Sequence, residues 1–243
     1  MKRIILIIAS LALLAACNKD KGSSGTPDEP AVVVHPVALD LGLSVKWASC
    51  NIGADTPSGV GDLFAWGEVE PKEEYTWINY KWAQDESKKV TKYCFSNRPN
   101  KWALEGEPDN IAVLEPADDA AHVILGSNWR MPTQEELTEL IENCIWTVAS
   151  VDDFPGFEIR SKDPEFKDVL FIPAAGYKID DVFTPGERHL DGKVLCIWSS
   201  SLDVGCTGSL CTWVEIPTGE NGDAPPIVPL YRSGGLPIRA VCK

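Results

Sequence analysis

Asn128-Trp129-Arg130-Met131-Pro132-Thr133-Gln134-Glu135-Glu136-Leu137 is a short turn running into a helix whose start signal is written out. Thr133 and Glu136 stand at the spacing of a capping box. The Thr133 hydroxyl can accept from the Glu136 amide while the Glu136 carboxylate reaches back to the Thr133 amide. Behind the cap, Leu137, Leu140, Ile141 and Cys144 recur at helical spacing as one apolar stripe. Glu135 and Glu136 fall in the first turn, where the helix dipole favours negative charge. Such a helix must bury its stripe against a partner, and most of the remaining chain reads as short strands.

Working outward, Val37, Leu39, Leu41, Leu43, Val45 and Trp47 alternate with polar or small residues, the period of a half-buried strand, with Gly42 as a bulge or turn within it. Asp62 to Gly67 gives a second short strand. Residues 68–113 carry many Glu and Lys, with Trp77, Trp82 and Trp102 and no clean periodicity; they read as long loops with room for one hairpin. Glu115 to Ala121 predicts a short helix with Pro and acids in its first turn and Gly126 as its cap. After the Thr133 helix, Asp152 to Lys167 reads as polar loop. Asp168 to Tyr177 contains the apolar run Val169-Leu170-Phe171-Ile172, a strand buried on both faces. Val194 to Ser200, the Thr212-Val214-Ile216 alternation and Ile238 to Val241 are further strands, with loop from Gly219 to Pro229. The expected class is α+β.

The chain has 243 residues, 44% of them hydrophobic, enough for one domain with a sizeable core. Its formal net charge of −14 repels phosphate backbones, so nucleic acid is a poor partner. The N-terminus pairs a basic Met1-Lys2-Arg3 with an apolar Ile4–Leu14 stretch too short to span a bilayer. It ends in Leu14-Ala15-Ala16-Cys17, which resembles a bacterial lipobox. The resemblance implies a signal peptide over 1–16, lipidation of Cys17, and a Gly/Ser/Pro-rich tether over 17–36. Asn18 after the cysteine argues, by the same resemblance, for the outer membrane. Eight cysteines are present. With Cys17 lipidated an odd number remains in an oxidising compartment, so at least one stays a thiol. Cys206 and Cys211 bracket a Gly-containing loop and are the easiest local disulfide to close.

The blocks Asp40–Ala54, Phe64-Ala65-Trp66-Gly67-Glu68, Asp118-Asp119-Ala120-Ala121 and Trp129–Thr133 resemble those of the Fibrobacter succinogenes major paralogous domain family. Ile172–Tyr177, Trp198–Ser201 and Ile238–Cys242 continue the match in the same order. The resemblance covers almost all of 37–243 and implies a single domain there with a C-type lectin-like fold, related to the formylglycine-generating-enzyme architecture. The family is common in surface lipoproteins of gut-type Bacteroidetes. It implies a fold and a habitat, not a reaction.

No GxSxG, HExxH or phosphate-loop motif occurs, and of the three histidines His35 lies in the tether, leaving His122 and His189. A reaction of the formylglycine-generating kind would need Cys206 or Cys211 as a reactive thiol; a disulfide between them removes it. Glu107-Pro108-Asp109-Asn110 is similar to the calcium- and sugar-binding tripeptide of C-type lectins, with an Asp inserted and an earlier position. This makes Glu107, Asp109 and Asn110 weak calcium candidates beside the reading as a solvated acidic turn. Trp47, Trp66, Trp129 and Trp198 read as core. Trp77, Trp82 and Trp102 are the candidate ligand platform, because indole faces stack on sugars and anchor interfaces. Arg130 reads as structural, bonding loop carbonyls or pairing with Asp118 or Asp119. The expectation is a lipid-anchored outer-membrane protein that binds a glycan or a cell-surface protein in adhesion or at a pilus tip. The alternatives are an enzyme of formylglycine-generating architecture and a structural part of an envelope complex.

Overall fold

A computed structural model of the chain describes residues 35–84, 86, 89–95, 105–180, 182–184, 192–203, 208–217 and 226–243, with the backbone alone for 183–184, 192–194 and 208–217. The signal and lipobox segment with Cys17, and also Trp102 and Cys206, lie outside them. No helix among the described residues is long and apolar enough to cross a membrane.

Every ladder between strands is antiparallel, and two helices join them in a mixed α+β arrangement. The stretch read as one strand from Val37 is instead a hairpin, β1 (Ala38–Leu39) against β2 (Lys46–Ala48), with Leu39 opposite Trp47. The reversal is local chemistry. Asp40 Oδ1 accepts from Gly42 N at 3.0 Å, and Gly42 takes a φ of +72°. A Cβ on Gly42 would stand 2.4 Å from the Phe166 ring, so a side chain is excluded there. Further along, β3 (Leu63–Phe64) realises the Asp62–Gly67 expectation in shortened form.

The acidic segment before the central turn divides in two. Pro116–Asp118 is a 3₁₀ turn, and α1 (Ala120–Leu125) then starts on Asp119, whose carboxylate caps His122 N at 3.1 Å. Gly126 closes α1 at φ +94°. β4 (Trp129–Arg130) leads into α2 (Gln134–Asn143), where both bonds of the Thr133–Glu136 capping box form. Leu137 and Leu140 are fully buried and Ile141 half-buried, so the stripe faces the core. Burying the two leucines stabilises by about 1.5–3 kcal/mol each. Cys144 ends the helix rather than extending it.

From Cys144 the chain makes β5 (Cys144–Val151), β6 (Phe154–Ser161) and β7 (Val169–Pro173) in one sheet. The expected loop from Asp152 is thus mostly strand. Asp152 and Asp153 supply the tight turn, both at positive φ, 51° and 64°. β6 is held by neighbours on both sides, which overrides its unpromising Pro and Gly. Gly156 is required, since a Cβ would meet Ile172 O at 2.3 Å. β7 is buried as expected, with Leu170 and Ile172 at 0% exposure. β8 (Tyr177–Ile179) pairs with β9 (Val182–Thr184).

β10 (Gly192–Leu202), β11 (Gly208–Pro217) and β12 (Ile227–Tyr231) form a third sheet, so the expected loop ends before Ile227. β13 (Leu236–Pro237) pairs with β3, and β14 (Val241–Cys242) lies between β2 and β4. β10 separates two cores. Leu195 and Ile197 join Trp47, Leu137, Leu140, Phe157, Ile159, Leu170 and Val241 on one side. Cys196 and Trp198 join Phe64, Trp66, Tyr93, Met131 and Ile238 on the other. Period-two alternation on a strand buried on both faces accounts for this.

Candidate functional site

The loop region after β3 is fastened to the second of these cores by an ionic and aromatic cluster. Trp66 donates its indole N–H to Ser199 O at 2.9 Å and meets the Tyr93 ring edge-on at 5.0 Å. Tyr93, one of the residues at positive φ, stands on the buried carboxylate of Asp118 through its hydroxyl at 2.7 Å. That carboxylate also takes Lys81 Nζ at 2.9 Å and Lys92 Nζ at 2.6 Å. Lys92 pairs in addition with Glu115. Arg232, buried, donates to Tyr93 O at 2.8 Å.

The electrostatics hold these groups in their resting forms. Burial pulls the Lys92 ammonium down, but its bonds to Asp118 and Glu115 outweigh that and leave its pKa above the usual lysine value. Burial raises Asp118, yet the bonds from Lys92, Tyr93 and Lys81 bring its carboxyl below the ordinary range. Burial, with the adjacent Asp118, pushes the Tyr93 phenol up to about 12. A permanently protonated amine and phenol are poor nucleophiles and bases at neutral pH. This cluster positions loops.

Trp82 and Trp77 belong to the same fastening. Trp82 is half-buried, donates to Gly67 O at 3.2 Å and stacks edge-on with Tyr93 at 5.7 Å. The Lys81 and Lys92 ammonium groups stand 4.4 and 5.0 Å from its ring. Trp77, also half-buried, packs on Tyr80 at 5.7 Å. The structure therefore uses both indoles to tie loops to the body. In the acidic turn, Asp109 accepts from the Tyr93, Cys94 and Ile111 amides at 2.6, 3.0 and 3.0 Å. Glu107 is exposed, and Asn110 sits at φ +55°. Among the described residues no group of three or more His, Cys, Asp or Glu is placed to hold a metal ion.

Cys50, Cys94, Cys144, Cys196 and Cys242 are thiols rather than disulfides, all but Cys242 buried. Burial pushes Cys144 up to about 11 and raises Cys242, the opposite of what a nucleophile needs. Cys211 lies on β11 between β10 and β12, and its pairing with Cys206 lies outside the described residues.

Arg130 corrects an expectation. It pairs with Glu136 instead of Asp118 or Asp119, with Nη1 at 2.7 Å from Oε2 and Nη2 on Oε1, and it donates to Met131 O at 3.1 Å. Glu136 thereby serves the helix cap and the arginine together. The two aspartates are taken elsewhere, Asp119 by the His122 and Met131 amides. Beside Arg130 lies an open depression of about 620 Å³ lined by His122, Ser127, Asn128, Trp129, Arg130, Cys242 and Lys243. Sequence reasoning had these residues as core or cap. What it missed is that β4 pairs β14, which brings the end of the chain beside the Trp129 block. Compared with protein families, with curated proteins and with solved structures, the chain matches none.

Proposed function

We propose that this protein is a lipid-anchored surface recognition domain of C-type lectin-like architecture, whose work is to bind a glycan or a cell-surface protein. The observation that carries the reading is the construction of the loop region. Its indoles, lysines and acids are spent on fixing long loops to a rigid double core, an arrangement that suits presentation of a binding surface. The titratable groups so gathered are stabilised in inert protonation states, which favours binding over the enzyme alternative. The hairpin β1–β2 and β14 share one sheet, so both ends of the domain meet on one side, as a tethered domain requires. Cys17, within its lipobox-like context, supplies the anchor.

Two readouts test it. Cells expressing the full-length chain should incorporate labelled palmitate at Cys17 and lose the domain to external protease. The full-length chain in detergent should also retain a glycan or an envelope protein from extracts of its own surface. A Cys17→Ala chain that still partitions with membranes and remains protease-shielded would contradict the anchoring, and an empty capture would contradict the recognition.

A further inference from the structure

We infer that the depression beside Trp129 and Arg130 is a binding site for a carboxylated saccharide; the inference rests on the recognition reading and gives it a ligand class. The chain carries a formal charge of −14, yet the lining of this depression contains Arg130, Lys243 and His122 and no carboxylate. Anionic ligands are repelled by the rest of such a surface and drawn to a local cationic one. The nearest acids are committed. Glu136 is taken by Arg130 and by Thr133 N at 2.9 Å, and Asp119 by two backbone amides.

Arg130 is held but not exhausted. Its bonds to Glu136 and Met131 O use both Nη1 hydrogens and one on Nη2. The Nε–H and a second Nη2–H remain without a partner among the described residues, in a planar fork that fits a carboxylate. The bidentate grip of Glu136 also fixes the guanidinium in place, which lowers the ordering cost of binding.

The neighbours select a sugar over other acids. In the antiparallel pairing Cys242 stands opposite both Lys46 and Trp129, so these three side chains share one face of the sheet. Trp129 is half-exposed there and offers an indole edge or face to a pyranose ring. Ser127 and Asn128, both exposed on the turn before it, supply a hydroxyl and an amide for ring hydroxyls. An open depression of about 620 Å³ accommodates a short stretch of a polymer and leaves its ends free.

The test is titration calorimetry with the full-length chain in detergent, using an oligogalacturonide and the same oligomer with its carboxylates reduced to alcohols. The acidic oligomer is expected to bind and its reduced counterpart not. Lys243→Glu, at an exposed position, is expected to weaken binding about tenfold. Trp129→Ala should weaken it further, and an unchanged melting profile for Lys243→Glu keeps the result interpretable if Trp129→Ala misfolds. Equal binding of both oligomers, unaltered affinity in Lys243→Glu, or no binding of the acidic oligomer would each overturn the site. Equal binding of poly-glutamate would overturn the saccharide assignment. If another surface ligand is captured while the uronide is ignored, this inference fails alone; an empty capture removes the recognition reading as well.

Discussion

Asp118 carries two ammonium groups and a phenol on one buried carboxylate, and the loop from Trp66 to Leu114 hangs on that arrangement. Because its folded pKa lies below the ordinary 3.8, the unfolded chain takes up the proton first as the pH falls. The stabilisation is thus present above 3.8 and lost as the pH drops through the lower folded value. Lys92 works in the opposite sense: its pKa lies above 10.5, so its share is full below that value and disappears as the pH rises through the folded one. Asp118→Asn should cost about 2 kcal/mol at pH 7, less than a wholly buried pair because both lysines reach solvent. In urea melts the gap between wild type and variant should narrow below pH 3.8. A gap as wide at pH 3 as at pH 7 would refute the ionic account.

Arg239 is a different case at the same scale. It is fully buried, bonded to Asn51 Oδ1 at 2.9 Å and Ala48 O at 3.1 Å, and burial brings its pKa down to about 9. Its Nη2 has no partner. The unfolded chain holds this proton up to about 12.5, so this term adds stability as the pH climbs above about 9.

Among the elements, α2 was the most legible, because cap, acidic first turn and apolar stripe agree with one another. Thr133→Ala should cost about 1 kcal/mol in urea unfolding, through loss of one capping bond. The hairpin β5–β6 was the least legible. Asp152-Asp153 is a weak turn signal in sequence, and Pro155 and Gly156 speak against a strand that only its two neighbours enforce. Asp153 holds φ +64° at the usual cost for a side chain, so Asp153→Gly should stabilise by about 0.5–1 kcal/mol, read as a raised urea midpoint. Asp152 should be left alone, since its carboxylate accepts from Ser58 Oγ at 2.8 Å. The first hairpin was half legible: the alternation correctly named Leu41, Val45 and Trp47 as buried, but Gly42 and Asp40 turn the chain between them.

At the scale of the molecule, closure depends on β14. It is the strand joining β2 near the start of the domain to β4 before α2, with Val241 fully buried. Removing residues 241–243 should abolish the cooperative thermal transition in circular dichroism; a retained sharp melt would place the closure elsewhere. The same long-range pairing explains why the candidate site was hidden. Trp129 and Arg130 were visible as a motif, but nothing local says that Cys242 and Lys243 come beside them. The tryptophan loops were visible as unusual, while their pairing with Lys81, Lys92 and Asp118 follows from the fold alone.

The central claim is recognition, and an array of glycans and surface proteins probed with the full-length chain, in calcium and in chelator, tests it most directly. The account predicts retained binding that survives the chelator, since Asp109 is already committed to three backbone amides. An array that stays silent in both conditions would contradict it.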